Sequence, residues 1–185
     1  GNALYELELY EEAITSYDKA LALDPEDADA WINRGSALYE LEKYEEAFTS
    51  YDKALALDLD DADAWINRGN ALHDLGRYEK AVAFYDKALE FKSDSPHAWY
   101  NRGLCFQELG REDMPNHGES IASYVLKRLM WDYQTIHSYD MALKLEPDNP
   151  HVWYVRGNAL YERERYEEAI ASYEKAIEIN PNNPL

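Results

Sequence analysis

One spacing governs what this chain can fold into. Trp31, Trp65 and Trp99 stand 34 residues apart. Gly35, Gly69 and Gly103 keep that interval, and Gly1 stands 34 before Gly35. Between Gly1–Asp27 and Gly35–Asp61 only five of 27 positions differ: Asn2/Ser36, Leu9/Lys43, Ile14/Phe48, Pro25/Leu59 and Glu26/Asp60. A period of this size is a supersecondary unit copied along the chain. A single copy cannot bury its apolar face, so its neighbours must cover it. The next copy, Trp153 and Gly157, arrives 20 residues late.

Each unit reads as two helices, one through Ala28–Tyr39 and one through Tyr44–Leu55, with apolar and small residues at helical spacing in both. Glu45 and Glu46 suit a helix N-terminus. Asp24–Asp27 and Glu146–Pro150 carry the prolines and small polar residues of stops and turns. The units fall at about 1–27 (partial), 28–61, 62–95, 96–149 and 150–183 of one array spanning 1–185. The chain starts within a first helix and ends at Asn-Pro-Asn-Asn-Pro-Leu. That pattern reads as a segment of a longer array, or one whose ends other chains cover.

Trp31, Gly35, Ala47, Tyr51 and Ala54, with Pro25 closing the preceding unit, resemble the tetratricopeptide repeat family, and the later copies repeat most of them. Arg34, Arg68, Arg102 and Arg156 stand where that family usually has leucine, and Leu59 and Ser93 replace the closing proline. The resemblance implies an all-α fold, a right-handed superhelical solenoid of antiparallel helix pairs with a concave groove. In the packed arc an unpaired arginine would be costly. Each is therefore expected to meet an acidic side chain or carbonyls between units, with Asp18, Asp52, Asp86 and Asp140 recurring in the second helices.

At about 100° per residue, Trp31, Arg34, Gly35 and Leu38 share one arc of the first helix. Ile32, Ser36, Tyr39 and Glu40 lie on another, which the resemblance assigns to the groove. The candidate partner-binding residues are Asn2, Tyr5, Ile32, Ser36, Tyr39, Ile66, Asn70, His73, Tyr100, Leu104, Gln107, Tyr154, Asn158 and Tyr161. Asn can bond the amides of an extended peptide, and Tyr offers a face and a hydroxyl. Some relatives clamp C-terminal carboxylates with Lys, Asn and Arg. Here the residue after each Trp is Ile32, Ile66, Tyr100 or Tyr154, and two before it stand Asp29, Asp63, His97 and His151. A carboxylate would meet like charge in the first units, so such a ligand is not expected.

The fourth unit is the exception. An insertion near 111–137 holds the loop Arg111–Gly118, then 27 residues, Glu119–Leu145, without Gly or Pro. These read as one helix of roughly 40 Å. If Ser120 took the role of Ala47, the excess would lie at the C-terminal end and carry Trp153 about 22 Å away. If Thr135 takes it, the excess projects from the N-terminal end and the array is preserved; this register is preferred. The projecting part carries Tyr124, Lys127, Arg128, Met130 and Trp131, candidates for a partner or dimer contact. Trp131 is expected to be covered, either by the chain's own array or in an assembly, for which a second copy of the chain requires no further assumption.

Other chemistry is scarce. The 18 basic and 37 acidic residues give a net charge of −19, which disfavours nucleic acid and anionic membrane surfaces as partners. No run approaches the roughly 18 apolar residues of a membrane span. The lone Cys105 allows no internal disulfide, and a reducing, cytoplasmic setting is expected. No nucleophile–base pair, phosphate loop or metal-binding spacing stands out, so neither cofactor nor catalysis is expected. The sequence points to a protein-binding scaffold or adaptor. The alternative is a regulatory or oligomerisation domain of a larger enzyme.

Overall fold

The computed structural model describes residues 1–112 and 120–181. Among them all regular structure is α-helical, in two compact units. The first, Gly1–Ser93, holds the pairs α1 (Asn2–Glu6) and α2 (Tyr10–Leu23), α3 (Ala28–Glu40) and α4 (Tyr44–Leu57), and α5 (Ala62–Asp74) and α6 (Tyr78–Phe91). The second, Asp94–Leu185, holds α7 (Pro96–Glu112) with α8 (Ile121–Leu145), and α9 (Pro150–Tyr161) with α10 (Tyr166–Ile179).

The repeat dictates where helices begin. First helices are capped by side chains: Asp27 accepts from the Ala30 N–H, Asp61 from Ala64, Ser95 from Ala98 and Asn149 from Val152. The second helices α2, α4 and α10 lack such caps and place glutamates in the first turn instead, Glu11 and Glu12, Glu45 and Glu46, Glu167 and Glu168. Between the two helices of a pair the chain turns through a left-handed residue: Glu8 (φ 59°), Glu42 (58°), Gly76 (67°) or Glu164 (58°). The tryptophans pin the other turn. Their indole N–H donates to the carbonyls of Pro25, Leu59 and Pro147, six residues earlier. The bond uses the carbonyl, which explains why Leu59 can stand in for proline.

The glycines set the closest approach within a pair. A Cβ on Gly35 would lie 2.6 Å from the Tyr51 ring, and the same distance separates Gly69 from Tyr85 and Gly103 from Tyr139. Gly157 and Tyr173 repeat the contact at 2.5 Å. Tyr51, Tyr85 and Tyr139 are buried, Tyr51 in a cluster with Leu38, Ala47 and Ala71 and Tyr139 in one with Ala142 and Leu143.

The arginines are locks. Arg34 Nε lies 2.6 Å from Asp18, and its NH1 donates to Ser50 at 2.7 Å. Arg156 repeats both bonds with Asp140 and Ser172. Arg102 donates to Ser138 and Gln134. In the third pair Phe84 occupies the serine position. Arg68 keeps Asp52 at 2.6 Å and is sandwiched between Phe48 and Phe84, 4.5 and 4.2 Å from their centres. Burial lowers its pKa.

The elongated pair keeps the Thr135 register: Thr135 is fully buried, and Tyr139 meets Gly103 as Tyr51 meets Gly35. The helix starts at Ile121, with Ser120 as its cap, and adds eleven residues, about 16 Å, before the position of Tyr44. The change begins earlier. Gly110 occupies the turn position of Glu42 and Gly76, yet it is helical, and α7 runs on to Glu112. The expected loop Arg111–Gly118 thus begins as helix. Its remainder, with Glu119, lies outside the described residues.

Candidate functional site

In the first unit the exposed arc of the first helices forms a cleft of about 180 Å³, lined by Tyr5, Ser36, Tyr39, Glu40, Tyr51, Asn67 and Asn70. Helical spacing brings Ser36, Tyr39 and Glu40 there from α3 and Asn67 and Asn70 from α5. The Tyr39 hydroxyl donates to Asp74, and the Tyr5 hydroxyl to Glu40 at 3.4 Å, so one unit's tyrosine bonds a carboxylate 35 residues on. Burial and the Glu40 carboxylate push the Tyr5 pKa up to about 12; burial and the Asp74 bond raise Tyr39 well above the usual tyrosine range. Both hydroxyls remain protonated donors. The cleft therefore offers two aromatic rings, amide groups and carboxylate oxygens, which suit N–H donors and cationic side chains.

Much of the predicted groove is tied into the fold. The buried tyrosine of each pair needs an acceptor for its hydroxyl: Tyr17 uses Asn2, Tyr51 Ser36, Tyr85 Asn70 and Tyr173 Asn158. Leu104, at this position in the elongated pair, has no acceptor. Tyr139 bonds Gln107 one turn on, and Gln107 donates to Glu162. Gln107 is consequently buried and not a groove surface, and Ile66 is buried as well. Tyr5, Tyr39, His73 and Tyr161 pack edge-on against Tyr10, Tyr44, Tyr78 and Tyr166, and His73 Nδ1 lies 3.0 Å from Asp74. Ile32 remains half-buried on this arc.

In the second unit Tyr100 shares a 2.9 Å hydrogen bond with His151, and Tyr154 packs on Tyr173. Leu104 is half-buried and Tyr161 exposed. Asn67 and Asp74 were missed by sequence reasoning, which placed Glu40 on the groove arc without naming it a candidate. The tyrosine–carboxylate interval of 35, from Tyr5 to Glu40 and from Tyr39 to Asp74, was the signal that could have found Asp74. Among the described residues no group of three or more metal-ligating side chains exists, and no helix is long and apolar enough to cross a membrane.

On the α8 extension one expectation is corrected. Trp131 is 6% exposed, with Lys127 Nζ 4.4 Å from its ring, so it offers no free contact surface. Tyr124 and Arg128 are half-buried, Arg128 lying 3.8 Å from Asp132; Met130 is exposed. Asp132 also pairs with Arg163 at 2.7 Å. Arg163 replaces the leucine of the other pairs, Leu7, Leu41, Leu75 and Leu109, and Asp132 replaces their helix-starting tyrosine. Arg111 bonds Glu108 and Glu162 beside them.

Solved structures share this architecture. A crystal structure of MamA is similar with a TM-score of 0.81 at 19% identity, covering 98% of this chain and 94% of that one. MamA 41-end from Desulfovibrio magneticus RS-1 gives 0.82 at 17% identity, covering 100% and 93%. YrrB, described as a TPR protein with an unusual peptide-binding site, gives 0.73 at 24% identity, covering 98% and 84%. No curated protein matches the chain. The TPR repeat model matches residues 1–41, 35–76 and 69–110, and the tetratricopeptide repeat model residues 150–183. With more than half of its length matched, the chain belongs to the tetratricopeptide repeat family.

Proposed function

We propose that this protein interaction scaffold takes an extended peptide along the exposed arc of its first helices, centred in the first unit on the cleft of Tyr5, Ser36, Tyr39, Glu40, Asn67 and Asn70. The observation that carries the reading is the cleft's lining. Aromatic faces supply contact area, and the amides and carboxylates accept a peptide's N–H groups. The Glu40 carboxylate, in a unit with 22 acidic and 9 basic side chains, favours peptides bearing Lys or Arg over acidic ones. A carboxylate-terminated tail is disfavoured on the same ground. The unusual peptide-binding site described for YrrB lends the reading a precedent at the level of fold.

The test is capture of partners from a lysate with the chain as bait, read by mass spectrometry, against Asn67→Arg, which places a long cation in the cleft. Loss of the same proteins at unchanged helicity is expected. An unchanged set of partners would move the binding surface off this arc.

A further inference from the structure

The eleven residues that α8 adds, together with Tyr133 just beyond them, leave one side of the helix bare. Ile121 is 83% exposed, Leu126 69%, Tyr133 65%, Leu129 59%, Met130 51% and Val125 44%. At 100° per residue they occupy one half of the helix, while Trp131, Thr135 and Ser138 lie buried on the other. Such side chains offer on the order of 700 Å² of apolar surface, above the few hundred Å² usual on a monomer and near the ~800 Å² that each partner gives a standard interface.

We infer that this stripe of α8 is an isologous interface on which a second copy of the chain docks, the two extensions running antiparallel about a two-fold axis near Leu126 and Leu129. Three observations select this occupant. The six exposed residues of the stripe are uncharged, and Asp132, which the same rotation places beside Ile121 and Val125, is taken up by Arg163 and Arg128, so nothing there is left to pair with a charged ligand and the stripe's own image complements it. Ile121, Val125, Leu129 and Tyr133 form an i, i+4 row with Leu126 and Met130 beside it, the ridge that packs into the groove of a like helix. The nearby cations are engaged elsewhere, Lys127 over Trp131 and Arg128 by Asp132, so the stripe brings none to an anionic lipid surface. The net charge of −19 repels such a surface as well. The interface lies opposite Trp131, which anchors the extension to its own chain and stays out of the seam.

The charge also fixes a signature. Two copies of −19 repel at long range while the seam is apolar, so added salt tightens the dimer, where a partner held by opposite charge would be released. The experiment is sedimentation or light scattering of the 185-residue chain across concentration and salt, beside Leu126→Glu/Met130→Glu, with Leu57→Glu as an exposed control on α4. The chain is expected at twice its 21.5 kDa mass, more completely at high salt. The double variant, equally helical by circular dichroism, should dissociate with a Kd raised at least ~100-fold, as for loss of a central apolar anchor. The Leu57 variant should remain dimeric. Ile121→Glu, at the end of the stripe, should weaken the dimer less. A wild-type monomer at all salt concentrations overturns the proposal, whether or not it binds lipid vesicles or another protein through this stripe. A dimer that survives the double variant overturns it too. Failure here leaves the peptide cleft untouched, since the cleft variant Asn67→Arg lies on α5.

Discussion

The pair α3–α4 and the pair α7–α8 start from the same plan and differ in what they preserve. Both keep the glycine against the tyrosine ring, Gly35 on Tyr51 and Gly103 on Tyr139, each at 2.6 Å for an added Cβ. Both keep an arginine bonded to a serine of the second helix, Ser50 and Ser138. They part at the turn. In the regular pair Glu42 takes a left-handed conformation, and the second helix starts two residues later; in the other, Gly110 stays helical and the return is delayed. Register is therefore held by the core contact, and the turn is free to grow. An insertion placed between the helices costs the stack nothing if its excess is shed at the helix end away from the next pair.

If the core contact sets register, it should cost the same to break in both pairs. Gly35→Val and Gly103→Val each force a branched side chain into a buried tyrosine, and a loss of about 3 kcal/mol is expected from each, at the upper end of overpacking penalties. Urea unfolding of the two variants measures it. A Gly103 variant that unfolds like the unmodified chain, beside a damaged Gly35 variant, would break the equivalence and place the register of α8 under other control.

The sequence carried this much because the core contact is periodic. Gly, Tyr and Ala recur at 34, so the helix pairs, their order and the Thr135 register could all be read from spacing. The arginines, too, could be matched to recurring aspartates. What spacing could not resolve was which polar residues on the exposed arc the fold consumes. Asn2, Ser36, Asn70 and Asn158 read as ligand contacts because the demand that a buried tyrosine hydroxyl find an acceptor is invisible until the second helix is laid against the first. Whether Trp131 packs on its own array or on a partner stayed open in the sequence for a related reason. A tryptophan in a non-repeating segment has no counterpart to show its facing, and the lysine that covers it sits one turn earlier on the same helix.

A second test addresses how the extension is fastened. Asp132 and Arg163 replace the tyrosine and leucine found in the regular pairs, and their side chains are 22% and 11% exposed. Asp132→Ala leaves the Arg163 guanidinium, already lowered in pKa by burial, short of its nearest carboxylate; a loss of about 2 kcal/mol is expected, less than for a fully buried pair. Restoring the regular residues together, Asp132→Tyr with Arg163→Leu, should recover most of that loss, since apolar replacement of such a pair is often neutral. A double-mutant cycle on unfolding midpoints decides it. Additive losses would mean that the two residues are not a unit and that the extension is held by Trp131 alone.

The smallest effect isolates the turn itself. Gly76 and Gly110 occupy the same repeat position, but Gly76 has φ +67° and Gly110 lies inside α7. At Gly76 only a residue without Cβ is relaxed, and although the space around it is open, Gly76→Ala should cost about 1 kcal/mol through backbone conformation alone. At Gly110 a Cβ would find Arg163 and Asp132 no nearer than 4.0 Å, an ordinary contact, and the helical backbone accepts alanine. Gly110→Ala should therefore stabilise the chain by about 0.5–1 kcal/mol, the difference in helix propensity and unfolded-state freedom between the two residues. Opposite signs from one substitution at one repeat position would follow directly from the difference between the regular and elongated pairs. Thermal midpoints of the two variants measure them. A destabilising Gly110→Ala would mean that the α7 extension is not helical in solution and that the chain turns there, as it does at Gly76.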